Sequence, residues 1–269
     1  MKKLYELSKK IGLSENMINA AEPYFKNATK YALKYSSDNI FLDDLKKEDN
    51  AVQKLLALSL ELALRAERLY KENNIQNDIY LNTMSDILIW CENCFENCGE
   101  YGIDNIDWLL RHFNLKLFRL GRLQFEPVIN QEDFILNSII VKSGKAILNV
   151  HIPQGEKLDY GECLKSYKNA YEFFNRKYNI FVCDSWLINP KLKTILSPQS
   201  NIIKFQNNYT VISENANSRQ CEERVFHDIK DNPAEYPENS VLQRSLKKAL
   251  INGESFGMAF GGFLYEDFI

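Results

Sequence analysis

The sequence predicts an α+β fold, with a helical N-terminal domain over residues 1–117 and a mixed β-sheet flanked by helices over 118–269. Three observations predict it. Apolar residues recur at helical spacing up to about residue 117, and beyond it the period shifts towards two. Residues 146–184 then read strand, short polar loop, long amphipathic helix, strand. Such a crossover makes its two strands parallel and the connection right-handed. Ligands in these units sit at the carboxyl ends of the strands, where His151 and Asp184 fall.

Taken in order, Ser14 is placed to cap a helix that begins Glu15-Asn-Met-Ile and continues to about Tyr35, interrupted near Pro23. Ala51 to Tyr70 is the strongest helix of the chain. It is dense in Leu and Ala, has no Gly or Pro, and carries apolar residues all round, which predicts burial on more than one side. Asp78 to Asn97 and Asn105 to Phe113 read as further helices, with Gly99 and Gly102 marking the break between them. Phe118 to Ile129, Phe134 to Val141 and Lys145 to Ile152 read as a three-strand meander with a turn at Ser143-Gly144. In the last of these, Asn149 and His151 share a face. A helix over 159–177, a strand over Asn179 to Cys183 and a short helix around Lys191 to Leu196 follow. Asn201 to Ile212 and Glu223 to His227 read as an antiparallel pair, Leu242 to Ile251 as a helix, and Gly257 to Gly262 as the lead into a last short strand.

Composition narrows the function. The net charge of −3 is spread along the chain with no basic block, which excludes a nucleic-acid footprint from the expectations. No stretch approaches the ~18–20 apolar residues of a membrane span, so no membrane partner is expected. The first residues, Met1-Lys-Lys-Leu-Tyr-Glu-Leu, lack the apolar run of a signal peptide, so a cytoplasmic location is expected, with the six cysteines as thiols.

Four groups of residues carry chemistry. His151 can accept a proton near neutral pH, with Asn149 two residues away to orient it; the alternative is a strand-end histidine bonded to nearby backbone. Cys183, Asp184 and Ser185 form a second cluster. A thiolate at Cys183 would be a nucleophile, while Cys183 as a buried apolar residue and Asp184 or Ser185 as a helix cap are the structural alternatives. Trp186 would wall a pocket or simply fill the core. Cys91, Cys94 and Cys98, with His112 downstream, have the residue types of a zinc site. On a helix, however, Cys91 and Cys98 lie about 10.5 Å apart in rise, against about 4 Å between two sulfurs on one zinc, so no metal is expected. The Gly257 to Gly262 stretch lacks the strand-to-helix setting of a phosphate cradle and reads as a tight turn with close backbone approach.

The motifs Leu120-Gly-Arg-Leu-Gln-Phe125, His151-Ile-Pro, Cys183-x-Ser-Trp-Leu187 and Ser200-Asn-Ile202 followed by Phe205 resemble those of a bacterial two-domain acyltransferase-like family. That family joins a helical N-terminal domain to a GNAT-like C-terminal domain. The resemblance implies acyl transfer from acyl-coenzyme A, as co-substrate, to an amine-type acceptor. It implies a gap between two splayed strands, here Asn149–His151 and Val182–Asp184, that receives the thioester, with a hydroxyl such as that of Ser185 protonating the departing thiolate. It also implies a phosphate loop over 153–158, with Gln154, Gly155, Glu156 and Lys157 binding coenzyme A. The usual GNAT phosphate signature is Gln or Arg, two residues, Gly, one residue, then Gly or Ala. Here Gln154 is followed at once by Gly155, and the next glycine is Gly161. The second reading is a non-catalytic GNAT-like module that binds a ligand or a partner protein, and the altered signature favours it.

Overall fold

A computed structural model describes residues 1–38 and 40–267. It divides into two compact units. Unit 1 holds Met1–Leu120 together with Pro153–Gly155; unit 2 holds Gly121–Ile152 and the chain from Glu156 onward.

Unit 1 is helical: α1 (Lys2–Lys10), α2 (Glu15–Ala21), α3 (Phe25–Ser37), α4 (Phe41–Leu45), α5 (Ala51–Glu72), α6 (Asn77–Met84), α7 (Asp86–Cys98) and α8 (Ile106–Phe113), then a two-residue strand β1 (Phe118–Arg119). Ser14 caps α2 by accepting from the Met17 N–H, and Pro23 starts a single 3-10 turn between α2 and α3. Helix α5 is the centre of the unit. Leu55 through Ala63 are all buried, as are Ala66 and Tyr70. Each buried leucine contributes about 1.5–3 kcal/mol relative to exposure. Its one buried acid, Glu61, is paired with Arg65 at 3.0 Å. The expected single helix over 78–97 is two, because the Ser85 hydroxyl bonds the Asn82 carbonyl at 2.7 Å and competes with the main-chain ladder there.

Unit 2 contains β2 (Gln124–Ile129), β3 (Phe134–Leu136), β4 (Ile139–Val141), β5 (Ala146–His151), α9 (Tyr160–Phe173), β6 (Ile180–Ser185), α10 (Leu192–Ile195), α11 (Asn201–Gln206), β7 (Thr210–Asn215), α12 (Gln220–Phe226), α13 (Val241–Ile251) and β8 (Met258–Leu264). Its sheet runs in the order β2-β5-β6-β8-β7. The β5–β6 pair is parallel, as the crossover requires, and the other pairs are antiparallel.

Three sequence expectations are corrected. The meander is not one: Asn137 and Ser138 adopt positive φ, fold β3 and β4 into a separate ribbon, and leave β2 to pair with β5 directly. Asn201–Gln206 and Gln220–Phe226 are helices rather than a strand pair, the first capped by the Ser200 hydroxyl. The glycine stretch is itself strand, with β8 threaded between β6 and β7. A Cβ on Gly261 would lie 2.7 Å from the Thr210 carbonyl oxygen, and one on Gly262 2.8 Å from that of Phe181, so neighbouring backbones exclude larger residues.

The register sorts the sheet into two faces. One carries Phe125, Val150, Phe181, Cys183 and Phe263 against Tyr167 of α9 and Phe205 of α11, an aromatic core with ring centroids 5–6.5 Å apart. The other carries Val128, Ile147, Ile180, Val182, Phe260 and Leu264, partly roofed by Phe134, Leu136 and Val141 of the ribbon.

Candidate active site

On this second face the apolar rows end in polar side chains as the strands approach their carboxyl ends. On β5 the sequence Ile147, Asn149, His151 steps along the face, and on β6 Ile180, Val182, Asp184 does the same. The antiparallel partner β2 sets Glu126 opposite Asn149 and Gln124 opposite His151. The result is a cluster of Glu126, Asn149 and His151. The His151 Nε2 lies 3.0 Å from Glu126 Oε2 and 3.3 Å from Asn149 Nδ2. The His151 and Glu126 side chains are 19% and 13% exposed, half-sheltered without being sealed from a ligand.

Beside this cluster the two parallel strands part. The β5–β6 ladder pairs Leu148 with Phe181 and Asn149 with Val182. Beyond that point β5 continues to His151 on the β2 side, and β6 continues to Ser185 on the β8 side, where Cys183, Asp184 and Ser185 face Gly261, Phe260 and Ala259. Among the described residues the β5–β6 pairing ends at Asn149 and Val182, and the two tips stay paired to β2 and β8, with His151 at one tip and Asp184 at the other. The Asp184 residue is exposed, yet its carboxyl is partly enclosed, and that burial raises it above the usual carboxylate range.

The other expected residues fall differently. Cys183 points to the aromatic face, away from His151. It is fully buried, and burial drives its thiol far above the ordinary value, so a thiolate nucleophile there is corrected to a core residue. Ser185 is on that same face, and its hydroxyl caps a 3-10 turn by accepting from the Leu187 N–H at 3.2 Å. Trp186 begins that turn and packs, half-buried, on the cluster of Leu192, Ile203, Phe226 and Tyr236. Cys91, Cys94 and Cys98 lie along α7. Burial pushes the Cys91 thiol up to about 12, and the Cys94 Sγ is 3.7 Å from that of Cys98. His112 is engaged elsewhere: its Nε2 is 3.2 Å from buried Asp86, which also accepts from the indoles of Trp90 and Trp108.

The expected phosphate loop is divided between the units. Gln154 and Gly155 belong to unit 1, where Gln154 Oε1 accepts from Asn93 Nδ2 of α7 at 2.8 Å. Glu156 and Lys157 belong to unit 2. The buried Arg122 guanidinium donates to the Glu156 carbonyl at 2.8 Å and the Lys157 carbonyl at 3.0 Å. Across trans peptides, carbonyls drawn towards Arg122 turn the N–H groups of Lys157 and Leu158 the opposite way. The start of α9 contributes less than expected. Asp159 caps it, its Oδ1 accepting from the Glu162 N–H at 3.0 Å, so one orphan donor is already taken by an anionic group.

Sequence reasoning reached His151 and Asn149 through strand parity. It missed Glu126 and Arg122, although Arg122 stands within the quoted Leu120–Phe125 motif and a polar Glu126 in a β2 run otherwise rich in apolar residues was a visible signal.

Residues 117–263 match the GNAT-like C-terminal domain family, and residues 2–115 match the N-acyltransferase N-terminal domain family. None of the curated proteins matches the sequence. Among solved structures, an acyltransferase in complex with decanoyl-CoA and teicoplanin is similar with a TM-score of 0.79 at 19% identity, covering 98% of this chain and 88% of that one. An acyltransferase with CoA and 10C-teicoplanin gives 0.79 at 20% identity with the same coverage. An acyltransferase with decanoyl-CoA gives 0.72 at 16%, covering 97% and 99%. At these identities the likeness is one of fold.

Proposed function

We propose, from the premise that the chain belongs to the GNAT-like C-terminal domain family and carries an N-acyltransferase N-terminal domain, that it transfers an acyl group from an acyl-coenzyme A to an amine. The observation that carries this reading is the end of the β5–β6 pairing at Asn149 and Val182, with His151 just beyond it, which we read as a wedge between the strand tips. A thioester lying there meets an amine whose nitrogen attacks the carbonyl carbon directly. His151 takes the proton the amine must lose, the C–S bond breaks, and the thiolate leaves as the free thiol once protonated. A main-chain N–H on the gap side of β5 supplies the oxyanion donor. No enzyme nucleophile is needed, which agrees with the burial of Cys183. The Lys157 and Leu158 N–H groups, set by Arg122, receive the coenzyme phosphates.

Two of the similar structures hold decanoyl-CoA, which makes medium-chain thioesters the first probes. Saturating acyl donor at 100 times its dissociation constant adds about 2.7 kcal/mol of stability, read as a rise in melting temperature. Release of free thiol against a panel of amines reads turnover. His151→Ala is expected to keep the thermal shift and to lose about 10²–10⁴-fold in kcat. Absence of a shift with acetyl-, decanoyl- and free coenzyme A would overturn the reading and favour the non-catalytic module, to which the capped start of α9 lends its support.

A further inference from the structure

We infer that Cys94 and Cys98 form a modification site, at which a low-molecular-weight disulfide oxidises the pair to an intramolecular disulfide that reshapes the end of α7. The effect on the acyl donor rests on the proposed function; the bond itself does not. Its ground is contact. The two sulfurs lie 3.7 Å apart, on residues four apart and therefore on one face of the helix. Both are thiols, Cys94 buried and Cys98 exposed. Cys98 meets a dissolved oxidant, and Cys94 stands within reach of it. Burial raises the Cys94 thiol above its ordinary value, so it stays protonated and does not lead the attack. Cys91 is buried as well, and its sulfur is bonded to the Gly102 main chain.

The chemistry is thiol–disulfide exchange. The Cys98 sulfur, as thiolate, attacks one sulfur of the external disulfide. The S–S bond of that reagent breaks, one small thiol leaves after taking up a proton, and a mixed disulfide remains on Cys98. The Cys94 thiol then loses its proton, attacks the Cys98 sulfur and expels the second small thiol. Two protein thiols are oxidised, and one external disulfide is reduced to two thiols. A disulfide needs Cβ atoms about 3.5–4.5 Å apart, whereas helical residues four apart keep them about 5–6 Å apart, so closure draws the last turn of α7 inwards. The place suits such a movement. Cys98 is the last helical residue, and Gly99 follows in the left-handed conformation, its N–H donating to the Phe95 carbonyl at 2.8 Å. Asn93 directly precedes Cys94 and donates to Gln154 at 2.8 Å. On the proposed reading, a tightened α7 shifts that tether and weakens binding of the acyl donor.

The test incubates the full-length protein with oxidised glutathione, blocks the remaining thiols with iodoacetamide and maps the peptides by mass spectrometry. Cys94 and Cys98 are expected to escape alkylation, in a peptide lighter by two hydrogen atoms, and dithiothreitol to restore both thiols. Cys98→Ser should abolish closure, and Cys91→Ser should leave it intact. Hydrogen exchange is expected to change at residues 95–99 of the oxidised form. Alkylation of both thiols, glutathione retained on Cys98 without closure, or a bridge to Cys91 would overturn the inference. In the kinetic arm, oxidation should raise KM for decanoyl-CoA about 2–10-fold with kcat near that of the reduced form, and Cys98→Ser should be indifferent to the oxidant. A KM unmoved by closure would overturn the link to Gln154. The mapping reads the protein alone, so failure to find acyl transfer would count against the proposed function while the disulfide is still decided.

Discussion

Asp184 holds its proton more tightly in the folded chain than its ordinary value of 3.8 implies, because burial opposes the charge. The sign of the consequence follows. The favourable contribution of the protonated form is complete below 3.8 and is lost as pH rises through the raised folded value, leaving a small cost at neutral pH. Asp184→Asn should therefore raise the melting temperature at pH 7 by at most about 2 °C, an effect kept small by solvent at this exposed residue, and the gain should vanish below pH 3.8; differential scanning calorimetry at the two pH values checks it. On the proposed reading, with Asp184 at the β6 tip opposite His151, that gain comes with lost turnover, the usual exchange of stability for a site. The contrast between His151 and its partner shows what single residues reveal. His151 was legible because parity along one strand places it at a carboxyl end. Its bond to Glu126 was not, because that depends on the antiparallel register of a strand 25 residues away. Cys183 and Ser185 adjoin Asp184 in sequence but turn to the other face, which parity also states and a cluster read by adjacency overlooks.

Helix α12 and the loop behind it are held by one acid. Glu222 accepts from Arg219 Nε at 2.8 Å and Nη2 at 2.6 Å and from the Tyr236 hydroxyl at 2.7 Å, while the Lys230 N–H donates to that hydroxyl. The Arg219 bonds hold the Glu222 carboxyl below its ordinary value of 4.5. This contribution is present above pH 4.5 and is lost as pH falls through the depressed folded value. Glu222→Gln should cost about 1–3 kcal/mol at pH 7, with the difference from wild type shrinking in acid, as urea melts at pH 7 and pH 3.5 would show. This helix lies where the sequence suggested a strand. Short apolar runs such as Ile202-Ile-Lys-Phe205 and Cys221 to Phe226 fit either period; for the first the Ser200 cap was the local signal of a helix, and the second carries no such cap. Long elements escaped this ambiguity: α5 was legible from its Leu and Ala density, and the β5–α9–β6 crossover from the change of period across it.

Across the whole molecule, the chain changes unit three times, after Leu120, after Ile152 and after Gly155. The change of period near residue 117 was legible; the return of Pro153–Gly155 to unit 1 was not, since contacts such as the bond from Asn93 to Gln154 join residues 61 apart in sequence. On the proposed reading this bond steadies one half of the loop and Arg122 the other. Asn93→Ala should raise KM for the acyl donor about 2–10-fold, with kcat and melting temperature near those of wild type, in steady-state assays with decanoyl-CoA. The three-residue return also bears on how such proteins can be recombined. A chimera spliced once near residue 117 would inherit Asn93 from one parent and Gln154 from the other. Exchanging the helical half alone therefore calls for a second, tiny graft at 153–155 to keep that side-chain pair intact.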